Sequence, residues 1–200
     1  MKKIDLRKER KELYGPPRDP VLVGVPPMPF LAADGAGDPN GPEFAAAVEA
    51  LFAVSYRLKF ALKRETEVDH AVMPLEGLWW ADDHATFAGE DRGAWRRTAM
   101  IAQPEAASSA LVERATEEAG AKKDLPALPG LRFEVFEEGL SAQVMHLGPF
   151  SEEGATIARL EAFIEEQGLT RNGKHHEIYL SDLRRTAPER LRTIIRQPVS

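Results

Sequence analysis

Leu78-Trp79-Trp80-Ala81-Asp82 and Ile178-Tyr179-Leu180-Ser181-Asp182 lie over one another at a constant offset, and this pairing decides how the chain reads. Further along, Met100-Ile101-Ala102-Gln103-Pro104 and Ile194-Ile195-Arg196-Gln197-Pro198 match in the same order. A helix of the right phase stands before each set, so the order strand, turn, helix, strand, strand occurs twice. One strand–helix–hairpin unit buries a single face of its sheet, and two such units must share a core. The expected fold is α+β: duplicated β-α-β-β modules with pseudo-two-fold symmetry, forming an antiparallel sheet with helices on one face and a ligand cleft on the other. Residues 1–20, charged and then Pro-rich, form an arm. Residues 21–200 form one domain, with modules at about 21–123 and 130–200.

Working outward, Val21–Val25 is a β-branched run stopped by Pro26 and Pro27, and Phe30–Ala33 is the first full strand. The turn cluster Asp34–Pro42 opens a helix from about Glu43 to Arg64, whose Phe44, Val48, Leu51, Phe52, Ser55, Leu58 and Leu62 form one stripe. Lys59 lies near that stripe, with its ammonium at the edge. Tyr56 is placed with the stripe, its hydroxyl in need of a partner. A strand over 68–80 contains Pro74, which implies an edge or a bulge. A polar hairpin at Asp82–Arg92 leads to a strand over 93–103. A second helix starts at Ser108 or Ser109 and ends near Gly120. Strands follow at 131–136 and 140–147, then a helix capped by Ser151 and stopped by Gly168, and strands at 177–180 and 191–197.

Composition bounds the function. The 200 residues are 43% hydrophobic and 29% charged, the profile of a globular chain rather than a disordered one. A net charge of −6 argues against a nucleic-acid partner, and the C-terminal arginines 184, 185, 190, 192 and 196 read as a solvated face. With no cysteine, disulfides, thiolate metal sites and cysteine nucleophiles are excluded. The basic, polar start predicts no signal peptide, and no apolar run approaches the ~18 residues of a membrane span. The expectation is a cytoplasmic protein. The histidines lack metal-ligand spacing, the serines lack a nucleophile elbow, and Gly35-Ala36-Gly37 is no dinucleotide fingerprint. Neither a metal nor a cofactor is expected. The acidic pairs Glu117-Glu118, Glu137-Glu138, Glu152-Glu153 and Glu165-Glu166 read as solvated surface.

Several segments together resemble the GyrI-like small-molecule-binding proteins: Phe30–Asn40, Ala53-Val54-Ser55-Tyr56, Pro74-Leu75-Glu76-Gly77-Leu78-Trp79-Trp80, His175-His176-Glu177-Ile178-Tyr179-Leu180-Ser181-Asp182 and Thr193–Val199. The likeness runs over about residues 20–199 and fits the stand-alone members. It implies the duplicated fold, a ligand cleft at the pseudo-two-fold axis, and an acidic cleft residue at Glu177. Some stand-alone members are similar to cyclopropanoid cyclopropyl hydrolases, which add water to the cyclopropane of DNA-alkylating compounds. Members fused to DNA-binding domains sense drugs, and no helix-turn-helix pattern occurs in this arm. Leu183 stands where relatives often carry proline.

The residues expected to carry chemistry follow. Tyr179 lies two residues after Glu177 and so on the same strand face, a carboxylate beside a phenol, suited to acid–base work. Trp79 and Trp80 face opposite ways, one toward the cleft. Glu76 shares a face with Leu78, and a one-residue slip in register would turn it to the other side. The expected catalytic pair is Glu177 and Tyr179, and the expected ligand-binding set is Tyr56, Glu76, Trp79, Trp80, Phe30 and Met145. The ligand expected is a flat aromatic or cationic small molecule, either hydrolysed or merely bound. A gyrase-inhibitor-like module that binds protein through an acidic outer surface is the third reading.

Overall fold

A computed structural model describes residues 2–81, 95–182 and 185–200. In chain order the elements are strand β1 (Lys2–Ile4), helices α1 (Leu6–Glu9) and α2 (Lys11–Tyr14), strands β2 (Val21–Val25) and β3 (Met28–Ala36), helix α3 (Pro42–Thr66), and strands β4 (Val68–His70), β5 (Leu75–Trp80) and β6 (Arg96–Ala102). Helix α4 (Ser109–Lys122), strands β7 (Leu131–Phe136) and β8 (Gly139–Leu147), helix α5 (Glu153–Glu166), and strands β9 (His175–Tyr179) and β10 (Arg192–Pro198) complete it. The chain packs as two units: residues up to Glu9 with Met28–Phe136, and Arg10–Pro27 with Glu137–Ser200. The architecture is α+β with antiparallel pairing, and the β-α-β-β order occurs in both units, as β3-α3-β5-β6 and as β8-α5-β9-β10. Among the described residues no helix is long and apolar enough to cross a membrane. The hairpin expected at Asp82–Arg92 and the position of Leu183 lie outside the described residues.

In the first unit the strand order is β5-β6-β3-β7. Helix α3 begins at Pro42 and buries Ala47, Leu51, Val54, Ser55, Leu58 and Leu62 against β3 and β6. Gln103 Nε2 donates to Ser55 Oγ at 3.1 Å, satisfying the one polar group on that stripe. Tyr56, expected near the core, is instead 52% exposed. It lies five residues beyond Leu51, about 140° round the helix at 3.6 residues per turn. The expected strand over 68–80 is two strands, broken before Pro74, which has no amide for a ladder. Its first part, β4, pairs in parallel with β1 of the arm. The expected turn at Asp34–Ala36 is strand, since β3 runs on to Ala36. There a Cβ at Gly35 would come within 2.8 Å of Arg97 Nη2, so a side chain would displace the guanidinium. The guanidinium thus crosses β3, donates to the Ala36 carbonyl at 2.6 Å, and lies 5.2 Å over the Phe44 ring.

In the second unit the order is β9-β10-β8-β2. Strand β2, which sequence order grouped with the first half, hydrogen-bonds to β8. Ala142, Val144, Leu160, Ile164, Ile195 and Val199 make a core between α5 and the sheet, with Ile157, Phe163 and Leu169 at its edge. Helix α5 starts two residues later than Ser151, after a short 3-10 turn at Phe150–Glu152.

The opposite face of this sheet holds charge. Arg196 and Glu138, both expected on solvated surface, are buried, Glu138 with its side chain 1% exposed. His176 Nδ1 donates to Glu138 Oε1 at 2.8 Å and Arg196 Nη1 to Oε2 at 3.1 Å. Arg196 also donates to Gln143 Oε1 at 3.1 Å and to the Leu13 carbonyl at 2.7 Å. Gln143 Nε2 in turn donates to the Glu12 carbonyl at 2.6 Å, and Met145 N–H to the Pro17 carbonyl at 2.9 Å. Residues 12–17 of the arm are therefore fixed to the sheet by a buried ion cluster. Burial alone would raise the Glu138 pKa, but His176 and Arg196 outweigh it and hold the carboxyl at about 2.

Removing one partner leaves the others charged and buried, so Arg196→Met should cost about 3–5 kcal/mol in a denaturant titration and expose residues 10–20 to protease. Because the folded pKa of Glu138 lies below its ordinary 4.5, its contribution to stability is complete above that pH and lost as pH falls through about 2. In Glu138→Gln the melting temperature should change less over this range than in the parent.

Candidate functional site

The pleat of β9 sends His175, Glu177 and Tyr179 to one face and His176 and Ile178 to the other. The first face also carries α5, since Ile195, opposite Glu177, belongs to the core packed on that helix. The groove expected from sequence faces away from the helices, whereas Glu177 and Tyr179 project on the helix side of their sheet. His175 Nε2 donates to Glu177 Oε1 at 2.9 Å, and the Tyr179 hydroxyl donates to Oε2 at 2.7 Å. The Glu177 side chain remains 16% exposed. Burial pushes its pKa up, but His175 and Tyr179 outweigh burial and hold it below the ordinary carboxylate value. Glu177 is thus an ionised carboxylate with a donor on each oxygen and limited contact with water.

A second carboxyl feels its charge. Glu153, the first residue of α5, is 6% exposed. It accepts a hydrogen bond from Thr193, the residue opposite Tyr179 on β10, while Oε1 has no hydrogen-bond partner among the described residues. Burial, then repulsion from Glu177, raises its pKa to about 9, and the Thr193 bond offsets only part of this. At neutral pH Glu153 holds a proton and Glu177 does not. Two carboxyls with pKa values driven apart by their surroundings divide the roles of acid and base.

The turn before α5 is tied down by His146. Its Nε2 is 3.2 Å from the Pro149 carbonyl, which only accepts, so Nε2 carries hydrogen and Nδ1 accepts from the Thr156 hydroxyl at 2.8 Å. This fixes Phe150, whose ring meets Tyr179 edge-on at 5.8 Å and stays 39% exposed. Glu177 therefore sits beside an aromatic surface open to solvent.

Of the other expected residues, Met145 belongs to the second unit and Phe30, Tyr56, Glu76, Trp79 and Trp80 to the first. Met145 projects from the face of its sheet away from Glu177. Trp79 is buried in the first unit, its ring 5.8 Å from Phe44 and 6.0 Å from Trp95. Trp80 is half-buried on the opposite face, with Glu76 and Leu78. Glu76 is fully buried, and Phe30 packs edge-on to Phe136 at 6.2 Å. Sequence reasoning missed Glu153, His175 and Thr193. Only His175 left a signal, through its two-residue spacing from Glu177. Among the described residues no three His, Asp or Glu side chains group as metal ligands.

No curated protein matches the chain. Solved structures do. A crystal structure of an uncharacterized conserved protein from Listeria innocua is 43% identical, with a TM-score of 0.93 over 98% of this chain and 100% of that one. A crystal structure described as a hydrolase from Listeria innocua is 41% identical, with a TM-score of 0.90 over all of both chains. The C-terminal domain of EcmrR shares the fold alone, at 12% identity and a TM-score of 0.55 over 91% of this chain and 97% of that one. The profile of the GyrI-like small molecule binding domain matches residues 18–200, and the chain belongs to that family.

Proposed function

We propose that the chain binds a flat, largely apolar small molecule and hydrolyses it, with Glu177 as the base that activates water. The observation that carries this reading is the Glu177 carboxylate, ionised, sheltered and hydrogen-bonded by Tyr179 at 2.7 Å on a strand beside the exposed Phe150 ring. Because its pKa is lowered, Glu177 is ionised at neutral pH and can orient a water and accept its proton. Phe150 and Tyr179 offer aromatic surface to a flat ligand. The Tyr179 hydroxyl, donating to Glu177 Oε2, holds the carboxylate in position. The relative described as a hydrolase, 41% identical over the whole chain, supports the same class.

The substrate we assign is an electrophile with a strained ring, such as the activated cyclopropane of a DNA-alkylating compound, and the role is cytoplasmic detoxification. Ring strain supplies driving force, and water at a sheltered carboxylate supplies the nucleophile. The rival reading, capture of an aromatic cation without turnover, draws on the same ionised Glu177 and cation–π attraction to the neighbouring rings.

Incubation with a spirocyclopropyl-cyclohexadienone should give the ring-opened hydrate, detected by mass spectrometry. Glu177→Gln should lower turnover at least ~100-fold, the scale of general-base catalysis, while changing affinity for the flat compound little. Tyr179→Phe, which removes the donor that positions the Glu177 carboxylate, should lose ~10²-fold in kcat. Tight binding of ethidium without turnover of any strained electrophile, weakened in Glu177→Gln, would establish the rival.

A further inference from the structure

We propose that Glu153 is the proton donor of this site, delivering its proton to the atom that receives the electron pair of the broken bond while Glu177 takes the proton of the attacking water. This deepens the hydrolytic reading and rests on it.

The geometry comes first. Glu153 is buried at the start of α5, fastened by Thr193 through one side of its carboxyl, with Oε1 lacking any partner among the described residues. A buried polar atom without a partner loses its hydration for nothing in return. Protonation removes the charge that makes this burial costly and converts a second acceptor into a donor. The groups on the elements around Glu153 make a protonated carboxyl consistent. On β9 they are Glu177, hydrogen-bonded by His175 and Tyr179; on β10, Thr193; on β8, His146, bonded to Thr156 and Pro149; and on the preceding turn, exposed Glu152. The strongest charge among them acting on Glu153 is the negative charge of Glu177, and its pKa is raised to about 9.

The step balances. The oxygen of water bonds to the ring carbon, the strained ring bond breaks, and its electron pair moves to the conjugated oxygen of the substrate. One proton passes from water to Glu177 and one from Glu153 to that oxygen. Transfer of the proton from Glu177 back to Glu153 restores both groups, and the product is the substrate plus one water. No oxidant, reductant or metal enters.

The test joins a readout of the proton to a readout of turnover. Infrared difference spectra of the full chain between pH 7 and pH values above about 9 should show a protonated carboxyl band that is lost on titration. The band should be absent in Glu153→Gln and retained in Glu152→Gln. The proton also links to folding. Because the folded pKa is raised from 4.5 to about 9, the contribution of Glu153 to stability should be complete below the lower value and decline through the interval, and Glu153→Gln should remove this decline. With a spirocyclopropyl-cyclohexadienone, Glu153→Gln should fold, bind and turn over at least ~100-fold more slowly. It should also lose the fall in kcat/KM on the alkaline side. If no band exists at neutral pH, or if Glu153→Gln turns over at the parent rate, the proposal is overturned and the hydrolytic reading stands. If the band is present but the parent never hydrates the probe, the hydrolytic reading falls and the donor role falls with it.

Discussion

Taking a carboxylate out of water is costly unless donors replace its hydration or a proton removes its charge. The second unit meets this constraint in three places. Glu138 is held by His176 and Arg196, Glu177 by His175 and Tyr179, and Glu153 by taking up a proton. Two of these arrangements depend on one strand. Because β9 alternates, the adjacent His175 and His176 point to opposite faces and each serves a different carboxylate. One face fastens the arm to the sheet, and the other holds the candidate base. A shift of β9 by one residue would turn His176 away from Glu138, leaving it Arg196 alone, and carry Glu177 with its donors to the opposite face.

The fold places the chemistry by joining β8, α5 and β10 around that strand. His146 and Thr156 lock the turn that leads into α5, which sets both Phe150 and Glu153. Thr193 lies opposite Tyr179 and ties Glu153 to β10. These side chains come from regular elements rather than long loops, and a site built on packed elements holds its groups with little reorganisation. In the first unit, Gly35 lets Arg97 lie across β3 and over Phe44, which in turn packs on Trp79.

Periodicity carried most of the fold. The α3 stripe, the opposed directions of Trp79 and Trp80, and the shared face of Glu177 and Tyr179 all follow from spacing along a helix or a strand. What spacing does not carry is the environment. Glu138 and Glu153 each stand in an acidic pair that resembles any solvated surface, Arg196 follows a series of exposed arginines, and only tertiary packing buries them and supplies their partners. Tyr56 was misplaced because a residue at the margin of a helical stripe turns outward with a small rotation. Pro74 marked a local break, but nothing in its neighbourhood indicated that the strand before it would pair with the arm.

The proposed chemistry depends on water activated at Glu177. Its most direct test is turnover of a strained-ring electrophile in ¹⁸O-labelled water, with the product and the intact protein both weighed by mass spectrometry. Activation of water by the carboxylate gives a product carrying one labelled oxygen and a protein of unchanged mass. Recovery of the electrophile intact, or a covalent adduct on the chain in place of a labelled product, contradicts it.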